Sequence, residues 1–190
     1  MKNELKKYIA KIHPIGDKLL EEFAQQWELI SAYKKEVVTE INSIDKHLYF
    51  ILEGVQKAFY VTDGKEYIIA FSYPFSFTCI PESFLTQKPS NYCWQCISDS
   101  KFLRISYENF FSYIESHPEF ETMLRKKLIN TLGGLVNRYH RLLALSMKDR
   151  FIDLMKNSPQ LINMVPQKDI SNYLKISPTN FSTLINTIKL

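Results

Sequence analysis

Four short polar side chains, Thr179, Ser182, Thr183 and Asn186, recur at the three- and four-residue spacing that lines one face of a helix. Hydroxyls and a carboxamide in such a row can exchange hydrogen bonds with base edges, more weakly and less selectively than a bidentate arginine. Ser177 and Pro178 stand just ahead of them as a cap and a first-turn proline. Lys168, Lys175 and Lys189 are the cations placed to meet phosphates. A row of this kind works only if a second helix holds it rigidly. Counting Gln167 as position 1, a tight two-helix turn demands apolar residues at positions 4, 8, 10, 15 and 18 and a small one at position 5. Ile170, Leu174, Ile176, Phe181 and Leu184 meet the first demand and Ser171 the second. This is the pattern of a helix-turn-helix, which lays its second helix in the DNA major groove. The competing reading is an ordinary pair of packed helices.

Cys93-Trp94-Gln95-Cys96 has redox or metal spacing. It falls in an aromatic run, Tyr92 to Ile97, that reads as a strand, and residues three apart on a strand point to opposite faces. Simple packing is therefore expected. Three cysteines, counting Cys79, are an odd number, which argues against a disulfide framework and for a reducing, cytoplasmic setting. His13, His47, His117 and His140 are scattered and form no ligand pair. No Ser-His-Asp, Walker or dinucleotide pattern is present, and no catalytic residue or metal ligand is assigned.

The chain of 190 residues is 45% apolar and 23% charged, ordinary for a globular protein. No apolar run reaches the ~18 residues that span a bilayer. The lysine-rich stretch from Met1 to Lys11 is followed by no apolar segment, so no signal peptide is expected. Residues 1–116 hold 13 basic and 15 acidic side chains, residues 117–190 hold 11 and 5. A basic back half points to a polyanionic partner.

Residues 3–12 and 17–30 read as helices, the second capped by Asp17 and striped by Leu19, Leu20, Phe23, Ala24 and Trp27. Residues 35–105 turn β-branched and aromatic. Runs at 48–52, 55–61, 67–71 and 102–105 read as strands, and Asp63-Gly64 is a hairpin signal. Strands without intervening helices make an antiparallel sandwich or barrel. Residues 107–116 predict a short helix and 119–146 a long one. In the long helix Leu128, Leu132, Leu135, Tyr139 and Leu142 are spaced 4, 3, 4, 3, a coiled-coil seam suited to pairing with a second copy. Gly133-Gly134 inside it costs roughly 1 kcal/mol per glycine. A helix over 148–158 and an extended stretch between Pro159 and Pro166 lead to the helix-turn-helix.

This order resembles the Crp-Fnr family of bacterial transcription regulators. The marks are Leu48-Tyr49-Phe50-Ile51-Leu52-Glu53-Gly54, Pro81-Glu82-Ser83-Phe84-Leu85-Thr86, Phe102-Leu103-Arg104-Ile105-Ser106, His117-Pro118-Glu119 and Ile170 to Leu184. The resemblance implies an α+β fold. Residues 1–116 would form an antiparallel, jelly-roll-like β-roll of cyclic-nucleotide-binding type with flanking helices. Residues 117–146 would be a dimerisation helix and 147–190 a winged helix-turn-helix. It implies double-stranded DNA, a second copy of the chain and RNA polymerase as partners, and neither enzymatic activity nor a membrane. An effector would sit near Glu82, Ser83, Ser90, Asn91 and Tyr92. Cyclic AMP fits poorly. Pro81 replaces the family's glycine beside the ribose-binding glutamate, here Glu82, and the phosphate-binding arginine falls in Pro89-Ser90-Asn91-Tyr92, which holds no cation. A less charged or aromatic ligand would suit Phe75, Phe77, Tyr92 and Trp94 better. No cofactor is implied: the iron–sulfur members' N-terminal cysteine cluster is missing, and haem-sensing members offer no match.

The family's base-reading Arg, Glu and Arg fall on Pro178, Thr179 and Thr183, and Lys175 replaces the glycine usual in the turn. Two alternatives stand beside the regulator: a sensor or interaction protein that has lost operator binding, and a cupin-like enzyme. The enzyme would need a His/Glu metal cluster on adjacent strands, and His47 is the one histidine in the β region.

Overall fold

The computed structural model describes residues 1–188. Helices α1 (Lys2–Ile12) and α2 (Asp17–Gln25) precede eight strands, β1 (Glu28–Ala32), β2 (Val37–Thr39), β3 (His47–Glu53), β4 (Gln56–Thr62), β5 (Lys65–Ser72), β6 (Phe77–Thr78), β7 (Cys93–Cys96) and β8 (Ser100–Ser106). Helix α3 (Pro81–Thr86) lies between β6 and β7, and α4 (Tyr107–Ser116), α5 (Pro118–Ala144), α6 (Met147–Asn157), α7 (Leu161–Met164), α8 (Gln167–Leu174) and α9 (Pro178–Thr187) follow.

The strands form two four-stranded antiparallel sheets, ordered β1-β8-β3-β6 and β2-β7-β4-β5. Asp63 and Gly64 join β4 to β5 with φ of 52° and 70°, the two left-handed positions of the tightest hairpin turn. Gly54, at φ 89°, turns β3 into β4. A Cβ there would lie 2.2 Å from Ser100 Oγ and 2.5 Å from the Asp99 carbonyl, so the position accepts only glycine.

Each face of the first sheet has its own core. Outside, Leu5, Ile9, Phe23, Phe110, Phe120 and Met123 of the helices, with Trp27 from the connection after α2, cover Leu48, Phe50, Leu103 and Ile105. Between the sheets, Tyr49, Ile51, Trp94, Cys96 and Phe102 fill the roll, with Tyr49 packed on both Trp94 and Phe102. The alternation of β3 and β8 splits their side chains between these layers. Each fully buried Phe or Leu contributes roughly 1.5–3 kcal/mol.

Two segments differ from the periodicity reading. The helix expected over 17–30 stops at Gln25, and Glu28–Ala32 is a strand. The outer edge of β8 offers five paired positions, and the Glu28–Arg104 ion pair (2.6 Å) joins that ladder, so sheet pairing overrides local helix propensity. The extended stretch expected before Pro166 contains α7 instead. Leu161 and Val165 are both buried, and one helical turn sends both into the same core before the proline ends it.

Helix α5 shows its apolar face to solvent. Leu128, Leu132, Leu135 and Tyr139 are exposed, as are Ile129, Val136 and Leu143, over a range of 39 to 69%. Leu142 is less exposed than these: it is half-buried, and its carbonyl accepts from Arg150 of α6. The exposed seam runs Ile129, Leu132, Val136, Tyr139, Leu143, spaced 3, 4, 3, 4. A Cβ on Gly133 or Gly134 would meet nothing within 4 Å, so no packing within the chain demands either glycine.

Candidate nucleic-acid interface

Helices α8 and α9 cross over Ile170, Leu174, Ile176 and Phe181, all buried, with Leu184 half-buried beside them. Ser171 is 2% exposed at the crossing, where a larger side chain would push the helices apart. The turn closes by two backbone bonds, Lys175 N–H to the Asn172 carbonyl (3.0 Å) and Ile176 N–H to the Ser171 carbonyl (2.9 Å). That geometry puts Lys175 in the left-handed region, φ 56°, ψ 46°, at a cost of about 1 kcal/mol for a residue with a Cβ.

Ser177 caps α9 by accepting from Asn180 N–H (3.3 Å), and Pro178 takes the first turn. Pro178, Thr179, Ser182, Thr183 and Asn186 are exposed together on the outer face. Their hydrogen-bonding capacity is partly committed. Thr183 Oγ1 donates to the Thr179 carbonyl (3.2 Å), leaving its lone pairs free to accept. Lys168 is exposed at the start of α8. Lys175 turns away from α9 and sets its ammonium 4.3 Å from the Tyr67 ring centre on β5. Lys189 lies outside the described residues.

The helix-turn-helix is not free of the roll. Asn172 lies against β5, with Oδ1 accepting from Ile68 N–H (2.9 Å) and Nδ2 donating to the Glu66 carbonyl (2.8 Å). Lys57, 8% exposed, pairs with Glu66 (2.6 Å) and reaches Asp169 (3.8 Å). Tyr173 packs between Phe71 and the guanidinium of Arg138, whose carbon lies 4.0 Å from the ring centre. Val55, Phe71, Tyr73 and Ile97 of the roll share one apolar cluster with Phe151, Leu154, Ile170 and Phe181. No periodicity marks Asn172 or Arg138, nor the reach of Lys57 to Asp169, because Asn172 meets Ile68 across 104 residues and Arg138 meets Tyr173 across 35, and only the tertiary fold brings them together.

In the roll, the segment that follows β6 carries the expected effector residues. Glu82, on α3, and Asn91 are exposed, and Tyr92 is half-buried against the inter-sheet core. Ser83 Oγ accepts from Asp45 N–H (2.9 Å) and donates to the Lys88 carbonyl (2.6 Å). Ser90 Oγ is bonded to the backbone of Tyr92, and the Ser90 backbone pairs with Asn42 and Ser43. Both buried hydroxyls are thus spent on holding the loop. The four aromatics do not form one pocket. Phe77 stacks on Trp27 (5.6 Å between centroids) on the far face of the first sheet, Phe75 is exposed at φ 62°, and only Trp94 and Tyr92 border the roll interior. Asp45, 2% exposed, accepts from Ile80 N–H at the start of α3 (2.7 Å), and burial pushes its carboxyl up to about 6.

Cys93 packs with Phe59 and Ile68, and Cys96 with Trp94 on the opposite face of β7. Burial raises all three thiols above their ordinary range, which disfavours the reactive thiolate. Among the described residues no three His, Cys, Asp or Glu side chains gather as a metal-ligand set, and no helix is long and apolar enough to cross a membrane.

No family model matches the chain, and no curated protein does. Solved structures do. FixK2 from Bradyrhizobium japonicum superposes with a TM-score of 0.74 at 13% identity, over 84% of this chain and 83% of that one. The c-di-GMP-responsive global regulator CLP from Xanthomonas campestris gives 0.70 at 13%, over 90% of each chain. A CooA mutant from Carboxydothermus hydrogenoformans gives 0.65 at 15%, over 85% and 76%. This is the fold of the Crp-Fnr regulators. The Crp-Fnr likeness spans both the roll and the helix-turn-helix, in the order expected from the strand and turn signals.

Proposed function

We propose that the chain is a DNA-binding transcription regulator of Crp-Fnr type, acting as a cytoplasmic homodimer in a bacterial cell. The observation that carries this is the joint exposure of two faces: the polar outer face of α9 and the apolar face of α5. A monomer leaves seven large apolar side chains of α5 in water, and a second copy seated there would bury them and present two α9 helices together. Lys168 and the amides that open α9 would hold phosphates, as would Lys189, and Thr179, Ser182, Thr183 and Asn186 would meet base edges. RNA polymerase is the further partner such a regulator would engage.

Cyclic AMP is not the effector in this reading. The loop of Ser90 and Asn91 offers no cation, and a buried cyclic phosphate without one is costly. Isothermal titration with cyclic AMP should show no binding at micromolar concentration. The regulator reading is tested by fluorescence anisotropy with duplex DNA at two salt concentrations, where binding that falls steeply with salt is expected.

One observation favours a second reading, an interaction protein that keeps the fold. The outer face of α9 carries no arginine between Pro178 and Thr187, and the Lys175 ammonium is occupied by Tyr67. Salt-independent binding, or no binding to any duplex, selects it.

A further inference from the structure

Strand β5 ends its sheet, so its outer backbone groups face no neighbouring strand. An unprotected edge of this kind is normally blunted or covered. Here one side chain does what a strand would do. The Asn172 carboxamide presents an acceptor to Ile68 N–H and a donor to the Glu66 carbonyl, the pair of outward groups that an adjacent strand would take. Arg138 of α5 reaches the same point, donating to the Tyr173 carbonyl (3.0 Å) and approaching that of Ile68 (3.5 Å). Roll, long helix and reading head therefore meet within a few residues.

The electrostatics fit a built contact. Glu66 and Asp169 would repel across it, and the nearly buried ammonium of Lys57 stands between them. Phe71, Tyr173 and Arg138 form a stack beside it. The docked helix is α8, while Thr179, Ser182, Thr183 and Asn186 on α9 stay exposed. The contact does not cover the reading face. It fixes the angle at which that face is held, because α8 and α9 share one core and move together.

We infer that Asn172 is a positioning residue: by completing the edge of β5 it locks the helix-turn-helix to the roll and to α5, and this junction sets the pose in which α9 meets DNA. The inference rests on the DNA-binding reading for its last step only.

The test uses the full chain with Asn172→Ala, and Asn172→Asp as the variant that keeps size and the acceptor but loses the donor. Two measurements are made. Hydrogen exchange at the Ile68 amide reads the lock itself and needs no DNA. Anisotropy with a mixed-sequence duplex across a salt series reads the pose. Asn172→Ala should raise Ile68 exchange about tenfold or more. It should weaken duplex binding several-fold while leaving the salt slope unchanged, since no phosphate contact is removed. Asn172→Asp keeps the acceptor for Ile68 N–H and loses the donor to Glu66, so it should raise Ile68 exchange less than Asn172→Ala does. Unchanged Ile68 protection in Asn172→Ala overturns the lock. Faster Ile68 exchange with unchanged or tighter duplex binding overturns the positioning role. If the wild type binds no duplex, the DNA reading falls while Ile68 exchange still decides whether Asn172 holds the domains together.

Discussion

Asp45 shows how a single side chain can make the segment around α3 depend on pH. Its carboxyl is buried and raised to about 6, chiefly by desolvation, against the bond from Ile80 N–H that lowers it. The folded state therefore holds the proton more tightly than the unfolded chain does. Its contribution is fully present below the unfolded value near 4 and is lost as pH rises through about 6, a swing on the order of 3 kcal/mol. Asp45→Asn should remove this dependence: the melting-temperature difference between variant and wild type should grow in the variant's favour between pH 4 and 7. A constant difference over that range would refute it. Lys175 poses a different balance. Its left-handed backbone costs about 1 kcal/mol, partly offset by its ammonium over Tyr67. Tyr67→Leu should free that ammonium and increase the salt slope of duplex binding by about one phosphate contact. Thr179→Ala combined with Thr183→Ala should flatten sequence preference in binding selections and leave non-specific affinity nearly intact.

At the scale of elements, α5 is where sequence and structure part most usefully. Leu128, Leu132, Leu135 and Tyr139 are read from the sequence by their heptad spacing, and each is exposed. Leu142 fits the spacing but is half-buried, and Leu143 beside it is the exposed one. Spacing alone does not show which positions the rest of the fold covers. Leu132→Glu or Leu143→Glu should turn the expected dimer into a monomer in light scattering, while Leu142→Glu should destabilise the fold instead. The hairpin at Asp63-Gly64 and the cap at Ser177 were readable because local backbone geometry dictates those residue types. Strand β1 and helix α7 were not, because long-range burial decides them: β1 exists to pair β8, and α7 to bury Leu161. The helix-turn-helix core was legible to the residue. The contacts of its α8 with β5 were invisible, since nothing local in Asn172 or Arg138 announces a partner.

For the whole molecule, the Crp-Fnr likeness gives the frame and the side chains give the departures. The roll is packed with Tyr49, Ile51, Trp94 and Phe102, and its serines are engaged by backbone, so any effector must contend with an ordered interior. Val55, Phe71, Tyr73 and Ile97 of the roll are covered by residues of the C-terminal helices in one shared cluster. That arrangement has a consequence for modularity. A gene fragment ending after α5 would encode a roll whose apolar rim is left open, and a helix-turn-helix transplanted onto another roll would arrive without the surface that completes it. This chain should therefore resist domain swapping between proteins of the same fold: a chimera joined in the α5–α6 connection should express poorly unless the roll's rim residues travel with the helix-turn-helix.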